Sequence, residues 1–159
     1  MNLLLLIRSL MLMYQKPLHG HLIVKFHHIV VSGVIGNGAG AVTKTDAGNV
    51  TLTGTNTYTG LTTVLGGTLI LDQAGVTDVG TVIDNSAAVT VNGGTLQLND
   101  RVEVFDTLTL TSGSVTVSSS GNAITANTYL LNPTSGTTHA IYADLGLSLI
   151  HISEPTRPY

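Results

Sequence analysis

The residues of this chain best equipped for chemistry are its carboxylates and histidines. Asp72, Asp78 and Asp84 recur every six residues, and Asp100, Glu103 and Asp106 every three. Paired carboxylates serve as acid and base on glycosidic bonds, and clustered ones hold calcium. Either chemistry requires the groups to converge on one face. Asp72 to Asp84 spans a loop-like run of Gly, Val and Thr, and on an extended strand Glu103 points away from Asp100 and Asp106. The spacing predicts solvated carboxylates that keep the surface soluble and blunt sheet edges.

His19, His21, His27 and His28 are potential transition-metal ligands, since His19 and His21 share one face of a strand. No carboxylate lies near them in sequence to orient the imidazoles, so a metal site is not assigned. His139 follows Thr137 and Thr138 without the nucleophile and acid of a triad. Gly36-Asn37-Gly38-Ala39-Gly40-Ala41 fits the dinucleotide fingerprint G-x-G-x-x-A. That fingerprint needs a helix to begin there, so that backbone N–H groups face the pyrophosphate. Val42-Thr43-Lys44-Thr45 and then Gly48 are poor helix material, so a glycine turn between strands is expected. The same stretch lacks the aspartates of a calcium-binding glycine-rich nonapeptide. No residue is therefore assigned a catalytic, cofactor-binding or metal-binding role, and no cofactor is called for.

The elements that carry these residues are strands. Val50 and Leu52 alternate with Thr51 and Thr53, Leu69 and Leu71 flank Ile70, and Val89 and Val91 alternate with Thr90 and Asn92. Leu96 and Leu98, Leu108 and Leu110, and Val115 and Val117 continue the pattern. Period-two alternation reads as half-buried strand, and branching at Cβ suits valine and threonine to it. Gly66-Gly67, Asn92-Gly93-Gly94, Ser112-Gly113 and Ser120-Gly121-Asn122 mark the corners. No stretch of residues 31–146 combines helical apolar spacing with good helix formers.

Gly66-Gly67-Thr68-Leu69-Ile70-Leu71 returns 27 positions later as Gly93-Gly94-Thr95-Leu96-Gln97-Leu98, with a weaker echo over Thr107 to Val117. Such a period suits solenoid coils, each of which buries its apolar side by stacking on the next. Four or five coils at a strand spacing of about 4.8 Å would make a rod roughly 20 Å long. A β-sandwich also has short strands at this spacing, but it has no need of the repeated phrase. Tyr58 and Tyr129 are expected to pack at coil edges rather than to bind sugars.

Composition sets the outer bounds. The chain has 159 residues, only 9% of them charged, with 4% aromatic, no tryptophan and no cysteine. Disulfides and thiolate metal sites are excluded. The net charge of −3 excludes a generally basic nucleic-acid binder. The charge is uneven: residues 1–30 carry +3, residues 31–146 carry −6, and 147–159 sum to zero. Residues 1–30 read as a leader of uncertain origin, either a mis-assigned start or a poor signal segment, with Leu3 to Ile7 interrupted by Arg8. Residues 31–146 form the repeat region. Leu147 to Arg157 reads codon by codon as the translation of a transposase-type sequencing adapter, so 147–159 is expected to be a library scar and the natural protein to continue past Gly146.

Ser32-Gly33-Val34-Ile35, Lys44 to Leu52, Asn56-Thr57-Tyr58-Thr59-Gly60 and Gly67 to Leu71 follow one another in an order that resembles the autotransporter-associated β-strand repeat. Asp46 stands where glycine is usual, which is tolerable because aspartate enters the left-handed region at modest cost. Leu61 and Leu65 replace small or polar residues. The resemblance implies an all-β, right-handed parallel β-helix in a passenger domain, exported through an outer-membrane β-barrel that lies in a missing C-terminal region. It also implies a location at the bacterial cell surface or in the medium. The function expected on this basis is a non-catalytic stalk or adhesive segment, with glycans or cell surfaces as partners and no nucleic acid. The alternatives are a β-helical polysaccharide-active enzyme and a β-sandwich binding module, since a shared scaffold leaves the ligand open.

Overall fold

Alternation of valine or leucine with threonine puts every second side chain on one face, and a sheet built this way must cover that face. The computed structural model describes residues 22–24, 28–36, 38–72, 82–99, 102–118, 123–132, 139–142, 144–147 and 150–152. Its elements in chain order are β1 (Leu22–Val24), β2 (His28–Val31), β3 (Val42–Lys44), β4 (Asn49–Leu52), β5 (Thr62–Val64) and β6 (Thr68–Leu71). They continue with β7 (Ala88–Leu98), β8 (Val102–Val117), β9 (Ala123–Leu131), β10 (His139–Tyr142), β11 (Asp144–Leu147) and β12 (Ile150–Ile152). The described residues contain no helix, and every strand pairing among them is parallel.

The pairings resolve into three ladders visited in turn. The first runs Leu22, Val42, Thr62, Val89, Leu108, Tyr129 and Ile150. The second runs Ile29, Val50, Leu69, Leu96, Val115 and Ile141. The third joins Glu103, Ile124 and Leu145. A chain that passes first, second and third ladder and then returns to the first is a parallel β-solenoid, which removes the β-sandwich reading. The strands reach beyond 31–146 on both sides, since β1 and β2 stack on β3 and β4, and β12 on β9.

Coil length departs from the repeat interval in the sequence. Val42 stacks on Thr62 and Val89 on Leu108, steps of 20 and 19 residues, and Leu108 stacks on Tyr129 after 21. The 27-residue interval joins Leu69 directly to Leu96. It is therefore a true coil step, but a lengthened one. The extra residues fall between Leu71 and Val82, where residues 73–81 lie outside the described set. The repeated phrase survived this lengthening because the same corner and ladder position impose the same requirements on both copies.

The interior is one apolar column. Val50, Leu52, Val64, Leu69, Leu71, Val89, Val91, Leu96, Leu98, Phe105, Leu108, Leu110 and Val115 are buried in a single cluster. Full burial of each such side chain stabilises by about 1.5–3 kcal/mol. The corner between the first and second ladders is where backbones come closest. A Cβ on Gly113 would lie 2.1 Å from the Gly94 carbonyl oxygen, and one on Gly67 would lie 2.3 Å from that of Gly48. Both glycines also have positive φ, 95° and 61°. Asp46, at the same corner, has φ 55° and is the one non-glycine in that region among the described residues. The aspartate thus occupies the left-handed conformation expected of it.

Candidate functional site

The carboxylates among the described residues do not converge. Asp72 follows the second-ladder strand β6, and its Oδ2 accepts from Asn99 Nδ2 at 3.4 Å. Asp106 lies between the third-ladder and first-ladder parts of β8, where its Oδ1 accepts from Asn127 Nδ2 at 3.4 Å. Asp84 closes a local turn, its Oδ1 accepting from Ser86 Oγ at 2.6 Å and from the Ser86 N–H at 2.9 Å. These two hydrogen bonds, the hydroxyl's first, hold the Asp84 carboxyl below its ordinary value. Asp78 and Asp100 lie outside the described residues.

Glu103 overturns the expectation of solvated acids. It is fully buried, on the inward parity of β8 with Phe105, while Asp106 is exposed. Its Oε1 accepts the Ile83 N–H at 2.7 Å. Two coils earlier, Asn56 is buried in the same column. Its Oδ1 accepts the Ile35 N–H at 2.7 Å, and its Nδ2 donates to the Gly54 carbonyl at 3.1 Å and to the Val82 carbonyl. Val82 and Ile83 are not strand residues, yet both are buried. Their carbonyl and N–H are taken by side chains from the coils on either side. Asn56 and Glu103 thus replace ladder hydrogen bonds at the point where the chain re-enters the stack.

Lys44 is the second buried polar centre. It points inward from β3, and its Nζ donates to the carbonyls of Thr45 at 2.6 Å, Asp46 at 2.7 Å and Gly66 at 3.0 Å. An ammonium has three donors, and all three tie down carbonyls of the first-to-second corner in two successive coils. Burial pushes the Lys44 pKa below its ordinary value, opposed by the negative charge of Asp46.

The tyrosines are deeper than expected. Tyr58 and Tyr129 are each 1% exposed and belong to the core, not to coil edges. The Tyr58 and Thr62 hydroxyls share a hydrogen bond of 2.7 Å. Burial raises the Tyr58 pKa; the bond to Thr62 lowers it and the Glu103 charge raises it further. The Tyr129 hydroxyl donates to the Ile124 carbonyl and accepts the Ala126 N–H, both at 2.8 Å. Burial raises its pKa also, with the Ala126 bond opposing.

The remaining candidates are placed as follows. Gly36 to Ala41 leads into strand β3 and not a helix, and Gly38, at φ 106°, bridges to Tyr58. Among the described residues of this stretch no helix begins, so the fingerprint lacks the helix N-terminus that would face a phosphate. His28 is exposed at the start of β2, while His19, His21 and His27 lie outside the described residues. His139 opens β10, opposite Gly113 in the ladder. Among the described residues no group of three or more His, Asp or Glu could hold a metal ion. Lys44, Asn56 and Glu103 were missed as buried groups. Parity would have found two of them, since Lys44 shares the face of Val42, and Glu103 that of Phe105.

A short-stranded coil with buried Lys44, Asn56 and Tyr58 and a left-handed Asp46 is what the sequence resemblance singles out. Residues 42–71 match the family described as Passenger-associated-transport-repeat. The match bears out the resemblance to the autotransporter passenger repeat over these 30 of 159 residues. It spans one full coil, from the first ladder at Val42 to Thr62, and the next coil's first- and second-ladder strands as far as Leu71. The repeat and the parallel solenoid together fit a segment of an autotransporter passenger, a class that is exported by way of the outer membrane. No curated protein and no solved structure matches the chain. Among the described residues no helix is long and apolar enough to cross a membrane.

Proposed function

We propose that this chain is part of the stalk of an exported bacterial surface protein, and that it acts mechanically rather than catalytically. The observation that carries the reading is that the passenger-associated repeat coincides with a coil whose corners are tied to the next coil by buried side chains. A parallel stack of this kind is stiff along its axis and holds its loops at fixed positions away from the cell. An outer-membrane β-barrel delivers it. The absence of cysteine and the low charge suit passage of the unfolded chain through a narrow barrel. Each coil then offers the next a ready ladder on which to fold. The partners are glycans or other cell surfaces met by the outward threonine faces and loops.

The enzyme alternative needs acids gathered in one groove, and the separate stations of Asp72, Asp84 and Asp106 favour the stalk. The test is to express the full natural gene in a Gram-negative host and treat intact cells with protease. Release of peptides from the 42–131 region of intact cells supports export to the surface. Protection until the cells are lysed overturns it. Depolymerisation of a polysaccharide by the purified protein would overturn the non-catalytic part.

A further inference from the structure

The corner between the first and second ladders, in the coil formed by β7, has an arrangement that the stalk reading does not use. Asn92 is followed directly by Gly93, and both are exposed. The ladder between β7 and β8 is regular from Ala88 to Val91 and again from Thr95 to Leu98, but its register shifts on either side of Asn92. Gly93 has φ 112°, a conformation that side-chain-bearing residues rarely adopt. The Asn92 Oδ1 accepts a hydrogen bond from Ser112 Oγ at 3.0 Å, on the coil above.

We propose that Asn92 is a site of spontaneous covalent modification, at which the Asn92–Gly93 link closes to a succinimide and opens to aspartate and isoaspartate. In the first step the Gly93 main-chain nitrogen gives up its proton and attacks the Asn92 side-chain carbon Cγ. A new C–N bond forms, the bond from Cγ to Nδ2 breaks, and the amide nitrogen leaves as ammonia with the transferred proton. In the second step water adds to one of the two ring carbonyls and opens the ring. Opening at the side-chain carbonyl leaves aspartate, and opening at the main-chain carbonyl leaves isoaspartate, with the chain running through the side-chain carbon.

Three features favour conversion at this position. Glycine puts no side chain in the path of the ring closure. The ladder is irregular at this corner: its register shifts on either side of Asn92, which pairs with Ser112 out of step with the runs through Thr90 and Gln97. Ser112 donates to the oxygen on which negative charge develops as the nitrogen attacks, which is how an oxyanion hole works. By contrast, Asn56 is buried with its amide nitrogen bonded to the Gly54 and Val82 carbonyls, and a threonine follows it. Conversion would add a carboxylate to the exposed face of this corner, and isoaspartate would add a backbone atom within β7.

The inference is independent of the stalk reading. Its test is peptide mapping by mass spectrometry, with an isoaspartate-specific methylation assay, on the purified chain aged in mildly alkaline buffer. Native and urea-denatured samples are run side by side. The expected result is that the Asn92 peptide of the native protein gains the mass difference between an amide NH2 and an acid OH, while the Asn56 peptide does not. In Ser112→Ala the conversion slows about three- to tenfold, the span that one hydrogen bond supplies. Asn92→Gln removes the signal from this peptide. If the native protein keeps Asn92 as the amide over a time in which the denatured chain converts, the ladder protects the corner and the proposal fails. If Ser112→Ala converts as fast or faster, the assisting role of Ser112 is overturned.

Discussion

The coil at 42–71 and the coils at 88–131 bury the same kind of column by different means. In the first, strands of three and four residues are separated by corners with no strand character, and Lys44 and Asn56 reach from the interior to the backbone there. In the second, β7, β8 and β9 run for 11, 16 and 9 residues and carry strand pairing through the corners. The column beside them is mostly aliphatic with Phe105, and its buried polar groups are Glu103 and the Tyr129 hydroxyl. A solenoid must satisfy the N–H and C=O groups at every bend. It does so either with side chains that act as local partners or by giving successive coils the same bend, so that the ladder continues. The first solution concentrates stability in a few polar residues; the second spreads it along the chain.

The largest expected effect comes from Asn56→Ala, which leaves the Ile35 N–H and the Gly54 and Val82 carbonyls without their side-chain partner. Loss of about 4 kcal/mol in urea unfolding is expected, since each buried polar group left unsatisfied costs roughly 1–3 kcal/mol. Leu96→Ala in the second region should cost about 3 kcal/mol through lost burial and a residual cavity. A larger loss for Leu96→Ala than for Asn56→Ala would dissolve the contrast between the two regions.

Lys44→Met keeps the volume and removes the three donors, so about 2 kcal/mol should be lost at neutral pH. The difference should depend on pH in a stated sense. The folded pKa of Lys44 lies below the ordinary 10.5, so between the two values the unfolded chain binds more protons. Wild-type stability should therefore rise relative to Lys44→Met as the pH climbs towards 10.5. Chemical melts of both proteins across the alkaline range would show it, and a flat difference would mean that the lysine holds its proton equally in the folded and the unfolded chain.

The smallest effect belongs to Ser86→Ala, at the surface turn where Asp84 is held below its ordinary 3.8. A loss of no more than about 0.5 kcal/mol is expected. This contribution is present above 3.8 and disappears as the pH falls through the lowered pKa of the folded state. Acid melts in which the variant stays weaker than wild type would place the effect in the turn geometry and not in the carboxylate.

The sequence by itself determined the strand content, the glycine corners and the stacking of Leu69 on Leu96, because period-two alternation and positive φ are local requirements that each residue shows on its own. It also pointed to Asp46 in a left-handed turn and to a glycine turn over Gly36 to Ala41. Only the tertiary structure decided the coil length, since the interval carried by the repeated phrase includes the added residues between Leu71 and Val82. It also decided the fate of Lys44, Asn56 and Glu103. Polar residue types announce exposure when read alone. Whether they can instead be buried depends on which carbonyl or N–H of a neighbouring coil, some 20 residues away, arrives within hydrogen-bond reach.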